Sequence, residues 1–189
     1  VMNATVSTPD TGVTKDNTPK GGASTLSKTY EIAATEPHYS VSIPDWHAEG
    51  YGCGFALNEK GNKNYAIVVA CGYEAEETPL EEAFSALYTD IFNGILIQNY
   101  RAKYAQDVPE TTQVKLADGS PALLFNATQT ADDYGTALSC PIYGYGFSHD
   151  GVPFIVAYIV MNESAADSAK RAEMKGYVDE MANTVRTVQ

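Results

Sequence analysis

The sequence predicts an α+β domain: a curved antiparallel sheet of about six to seven strands sandwiched by helices. Three observations carry this. Short apolar segments of alternating period are joined by hairpin-type turns. A long segment of helical period, 79–104, interrupts them, and a second closes the chain at 165–185. Strands thus come in antiparallel runs with the helices segregated between and after them, which is the α+β order rather than alternating parallel units.

Taken in order, Tyr39–Ile43 alternates apolar and small polar residues, and Pro44 ends it before a turn at Asp45-Trp46. Residues 52–57 and 65–73 form the next two strands, with a polar, glycine-containing loop at 58–64 between them. Thr78 is placed to cap a helix, Pro79 suits its first position, and Glu81 and Glu82 complement the positive end of the helix dipole. Leu80, Ala83, Phe84, Leu87, Tyr88, Ile91, Ile95 and Leu96 then fall on one face. Gly94 costs this helix about 1 kcal/mol relative to Ala, which points to close packing at that position.

Asp118-Gly119 is a strong hairpin dipeptide between strands at 113–116 and 122–130. His149-Asp150-Gly151 similarly joins 136–147 to 153–161. Ser164 is a cap for the last helix, whose buried stripe would be Ala166, Met174, Tyr177, Val178, Met181 and Val185, with Lys170, Arg171 and Lys175 outside.

The chain has 189 residues, a formal net charge of −12 and 44% apolar residues, enough for one domain with its own core. That acidity excludes a general nucleic-acid binder, which needs clustered Lys and Arg against phosphates. No apolar run approaches the roughly 20 residues of a membrane-spanning helix. Residues 1–29 differ from the rest: Thr, Ser, Gly, Pro, Asn and Lys dominate, and apolar residues are too sparse to offset ordering. The expected organisation is a flexible polar tether, 1–29, before a single α+β domain, 30–189. No signal peptide is visible, yet a polar tether ahead of an acidic, Tyr-rich domain is what a processed secreted protein or lipoprotein shows. The expected address is extracytoplasmic, with membrane contact only through an N-terminal anchor outside this chain.

The order of elements and several local motifs resemble the Mog1/PsbP-like fold over about residues 30–189. The opening Tyr39-Ser40-Val41-Ser42-Ile43-Pro44-Asp45-Trp46 is similar to that family's first strand with its Ile-Pro and Trp. The 79–104 helix resembles its first main helix, and Asp118-Gly119-Ser120-Pro121-Ala122 its hairpin into a central strand. The terminal Asn183-Thr184-Val185-Arg186 is similar to the end of its final helix. The resemblance implies an antiparallel sheet between helices, and a role in binding or assembly rather than catalysis.

Chemistry-bearing motifs are absent from the sequence. There is no G-x-S-x-G, S-x-x-K, phosphate-binding G-x-x-x-x-G-K-[ST], H-E-x-x-H or C-x-x-C. His38, His47 and His149 read as surface residues, and Asp132-Asp133 as a solvated loop rather than a calcium corner. No cofactor, metal or enzymatic activity is expected. Cys53, Cys71 and Cys140 are odd in number; the first two would face each other across a hairpin, as a disulfide or as buried thiols.

Aromatic residues give the one candidate site. Tyr143-Gly144-Tyr145-Gly146-Phe147 puts three rings on one face of a strand and glycines on the other, either as core against a packed helix or as a groove. In the second reading Trp46, Tyr51, Tyr143 and Tyr145 line a ligand or partner groove, because such side chains join large contact area to a polar tip. The expected function is a non-catalytic extracytoplasmic module that binds a protein or cell-surface assembly, or alternatively a small ligand or ion in that groove. An acidic body favours a basic or polar partner.

Overall fold

The computed structural model describes residues 25–73, 77–100 and 107–189. Ten strands and two α-helices occur among them: β1 (Lys28–Ile32), β2 (Tyr39–Ile43), β3 (His47–Tyr51), β4 (Gly54–Asn58), β5 (Tyr65–Cys71), α1 (Leu80–Tyr100), β6 (Thr111–Lys115), β7 (Pro121–Asp133), β8 (Thr136–His149), β9 (Val152–Val160), α2 (Ser168–Met181) and β10 (Arg186–Thr187). Seven strands form one antiparallel sheet in the order β3-β4-β5-β9-β8-β7-β6. The remaining three form a small sheet, β1-β2-β10.

The two faces of the large sheet carry separate cores. On one face α1 packs Phe84, Tyr88 and Phe92 against Phe125, Ile142, Ile155 and Ile159. On the other, α2 and the small sheet bring Met174, Val178, Met181, Val41 and Ile43 onto Phe55, Ile67, Val156 and Tyr158. Alternation along β5 serves both: Ile67 and Val69 belong to the α2 side and Val68 to the α1 side. This is the antiparallel sheet flanked by helices that the Mog1/PsbP-like resemblance implies.

Local chemistry explains most of the boundaries. The β7–β8 hairpin turns at Tyr134 and Gly135, both at positive φ, and the Asp132 carboxylate accepts from the Gly135 N–H at 2.6 Å. Asp118 accepts likewise from the Ser120 N–H at 2.9 Å, where Gly119 takes φ +85°. Gly146 faces α1, where an added Cβ would stand 2.4 Å from a ring carbon of Phe84. The glycine face of this aromatic strand does accommodate a packed helix. Among the described residues one buried polar side chain, Gln129, donates to Tyr88 Oη at 2.5 Å and to the Asp107 carbonyl at 3.0 Å.

Several expectations need correction. Tyr39–Ile43 lies in the small sheet, held between β1 and β10, and not in the large one. The strands β3 and β10 carry no apolar alternation, and that of β1 is confined to Tyr30 and Ile32; β3 is a largely exposed edge with little to bury on either side. β1 begins at Lys28, inside the stretch read as tether, and residues 1–24 lie outside the described ones. The first helix starts at Leu80 with the Pro79 carbonyl accepting its first bonds, and its expected end at Tyr104 falls outside the described residues. Ser164 is not the cap of the last helix. Asn162 caps a short 3-10 turn at Glu163–Ala165, and Asp167 caps α2 by accepting from the Lys170 N–H at 2.8 Å. Ala166 and Val185 are buried but flank the helix instead of lying on its stripe.

Candidate functional site

The four aromatic residues expected to share a groove are divided between the two faces of the sheet. Trp46, Tyr143 and Tyr145 lie on the α2 side, where they fasten that helix to the sheet. Tyr51 lies on the α1 side.

On the α2 side the polar tips are spoken for within the fold. Tyr143 and Tyr145, two residues apart on β8, both donate to Asp179 Oδ1 on α2, at 2.5 and 2.8 Å, and their hydroxyls stand 3.3 Å apart. Lys175, one turn earlier on α2, holds the other Asp179 oxygen at 2.6 Å and lies 4.9 Å from the Tyr143 ring centroid. Tyr158 of β9 stacks on Tyr143 with centroids 5.7 Å apart. Burial pushes both phenols above their ordinary range, and the Asp179 carboxylate adds to the effect in each. Asp179 in turn raises the Lys175 ammonium.

Trp46 is only 8% exposed and sits in a second such cluster. Its ring meets Tyr177 and Tyr65 at centroid distances of 5.6 and 6.0 Å, and Lys170 Nζ lies 5.8 Å above it. Lys170 bridges Glu59 at 2.5 Å and Glu173 at 2.6 Å, while the Tyr65 hydroxyl donates to Glu59 at 2.8 Å. The hydrogen bond from Lys170 holds the Glu59 carboxyl below its usual value. The half-exposed setting of this triad makes it a locating device more than a large source of stability.

The open surface is on the α1 side. Two adjoining hollows, of about 370 and 470 Å³, share Tyr51 and Ile95. Both volumes fall in the range of small-molecule and side-chain pockets, about 300–1,000 Å³. The first is walled by Leu87, Ile91 and Gly94 of α1 and by Cys53, Cys71 and Tyr73 at the ends of β4 and β5. Ala56, Ala66, Val68 and Ile159 line the second, with Glu49 and Lys63 at its polar margin. Together they make a cleft between the second half of α1 and the β3-β4-β5 edge of the sheet.

Tyr51 stands at the junction and is 42% exposed. Its phenol is nonetheless held above the ordinary range, first by burial and then by the neighbouring Cys71 thiol. Tyr73, at 90% exposed, sits at the mouth. The close packing expected at Gly94 is not found: a Cβ added there would meet nothing within 4 Å. The glycine borders the empty space of the first hollow. Gly94→Ala should therefore stabilise the chain by about 0.5–1 kcal/mol, read as a shift in urea midpoint.

Sequence reasoning found Tyr51 but missed Leu87, Ile91, Ile95 and Tyr73. The first three were expected on the core face and do pack on the α1 core; periodicity does not show that they also wall a cleft. A glycine inside a helix of otherwise ordinary composition was the available signal.

Among the described residues no group of three or more His, Cys, Asp or Glu is arranged to hold a metal ion. His38 pairs instead with Glu31 at 2.8 Å, and His149 meets Thr187 at 3.3 Å. No described helix is long and apolar enough to cross a membrane.

No family model and no curated protein sequence matches this chain. Similar solved structures include a protein of Bacteroides thetaiotaomicron, with a TM-score of 0.48 and 12% identity over 87% of this chain. The match spans about half of that protein, 49% of its length. Another is cyanobacterial PsbP (CyanoP) from Synechocystis, with a TM-score of 0.48 and 12% identity over 89% of this chain and 97% of that one. LpqN of Mycobacterium tuberculosis, which is involved in cell envelope biogenesis, gives 0.38 and 9% over 86% and 91%.

Proposed function

We propose that this chain is a non-catalytic extracytoplasmic binding module that takes an apolar, positively flanked segment of a partner protein into the cleft beside Tyr51. One observation carries the reading. Two of the few exposed large apolar residues, Tyr51 and Tyr73, flank a single cleft whose wall is aliphatic and whose helix side is opened by Gly94. Exposed aromatics around an apolar floor are the composition of a contact surface. Glu49 and Asp90 at its margins outnumber Lys63 there and, on a chain of net charge −12, favour basic residues beside the inserted side chain. The polar tips gathered around α2 are bonded to one another and hold the scaffold together, which supports a module that binds rather than reacts. The polar, aperiodic stretch before the domain supports a tethered, extracytoplasmic setting.

The alternative occupant is a small apolar ligand, favoured by the hollow volumes alone. A thermal-shift screen separates the two. The full chain and its Gly94→Phe variant, in which the ring fills the first hollow, are tested against peptides with one aromatic or aliphatic residue between Lys or Arg, and against small aromatic compounds. A ligand at about 100 times its dissociation constant raises the melting temperature by several degrees. The account expects peptide hits on the native chain that disappear in Gly94→Phe and persist in Gly94→Ala. Hits confined to small compounds favour the alternative, and hits indifferent to position 94 contradict the cleft.

A further inference from the structure

Cys53 and Cys71 stand at the end of the β4–β5 ladder. Gly54 is paired with Ala70, so the next step of the antiparallel register sets Cys53 opposite Cys71. The ladder continues there: the Cys71 N–H donates to the Cys53 carbonyl at 2.8 Å. The Cys71 thiol also reaches that carbonyl, at 3.1 Å. Residues directly opposite in such a pair have Cα atoms about 5.5 Å apart, within the window of about 4.4–6.8 Å that a disulfide spans. Cys71 is buried and Cys53 is partly exposed beside Tyr51 in the cleft.

We infer that Cys53 and Cys71 form a cross-strand dithiol that closes to a disulfide when it meets a small-molecule disulfide, tying the floor of the cleft. This stands independently of what the cleft binds. The exposed Cys53, as thiolate, attacks the small disulfide RSSR; a Cys53–S–SR bond forms and one RS⁻ leaves to be protonated. Cys71 then loses its proton, attacks the Cys53 sulfur and expels the second RS⁻. Two protein thiols are oxidised to one disulfide, and RSSR is reduced to two RSH. Burial and the neighbouring thiol push Cys71 up to about 12, so the second step accelerates as pH rises. Cys140 takes no part: it is fully buried in the α1 core, with its thiol on the Met161 carbonyl at 3.2 Å.

The test uses the full native chain with oxidised glutathione at pH 8, followed by an acid quench, alkylation, trypsin and mass spectrometry. Lys60 and Lys63 lie between the two cysteines, so trypsin separates them unless they are bonded. The expected product is a linked Cys53–Cys71 peptide pair lighter by two hydrogens, with Cys140 alkylated only after unfolding. The oxidised chain should melt about 6–12 °C higher, a gain that reductant reverses. Cys53→Ser, a partly exposed and conservative change, should fold and show no such gain. A chain that stops at the Cys53–glutathione adduct, dimerises through Cys53 or leaves both thiols free overturns the assignment.

Discussion

Gly144→Ala is expected to destabilise the domain by about 3 kcal/mol or more. Gly144 lies in the middle of β8, opposite Ala157 of β9. An added Cβ would stand 2.4 Å from both the Ala157 Cβ and the Val156 carbonyl oxygen. One of those neighbours is backbone and the other is a methyl fixed to it, so no rotamer change can relieve the clash. The β8–β9 ladder, central to the large sheet, has to part instead. At Gly146, two residues on, the obstacle is the Phe84 ring, which can move with α1, and the same substitution should cost less. Urea denaturation of the two variants checks the order. Equal midpoints would show that the ladder yields as readily as a side chain does.

Asp179→Ala should cost about 2–3 kcal/mol, because it removes the acceptor shared by two sequestered phenols. Tyr143 and Tyr145 remain within 3.3 Å of each other, so one can donate to its neighbour and one O–H is left without a partner. The ion pair of Lys175 is lost as well. The same cluster contributes to the alkaline limit of stability, alongside other phenols raised by burial such as Tyr51 and Tyr88. Both phenols have folded values raised above the unfolded value of about 10, so the folded chain keeps protons that the unfolded chain gives up. Stability from them is fully present below pH 10 and declines above it, by about 1.4 kcal/mol per pH unit for each phenol. Equilibrium unfolding between pH 8 and 11 should show this fall, and Tyr145→Phe should flatten it. An unchanged slope in that variant would remove Tyr145 from the account.

What the sequence made legible was the part of the molecule governed by local chemistry. Asp118-Gly119, Asp150-Gly151 and the 3.6-residue stripe of Phe84, Leu87 and Tyr88 act within a few residues of themselves, and they appear where they were expected. The Tyr-Gly-Tyr-Gly-Phe strand was legible for the same reason: period 2 fixes its two faces. The small sheet was not, because β10 is two residues long and exists only through its pairing with Ser40 and Tyr39.

The site divides along the same line. Alternation placed Tyr143 and Tyr145 on one face, and nothing local could show that Asp179, 34 residues beyond Tyr145, would meet them both. Tyr51 and Trp46 are five residues apart, yet the intervening edge strand sends them to opposite faces of the sheet. The cleft itself lies where the second half of α1 meets the β3-β4-β5 edge of the sheet, which is a property of tertiary placement and not of any motif.

If the cleft beside Tyr51 is where this chain meets its partner, a photo-crosslinking phenylalanine analogue at position 51 will report it in the cells that make the protein, compared with the same analogue at the more exposed Tyr134 on the β7–β8 turn. Tyr134 is 81% exposed and remote from the cleft walls, which makes it the fair control. One discrete protein adduct is expected from position 51, absent from position 134 and lost when Gly94→Phe is added. Adducts that are the same from both positions, or that survive the filled cleft, would contradict it.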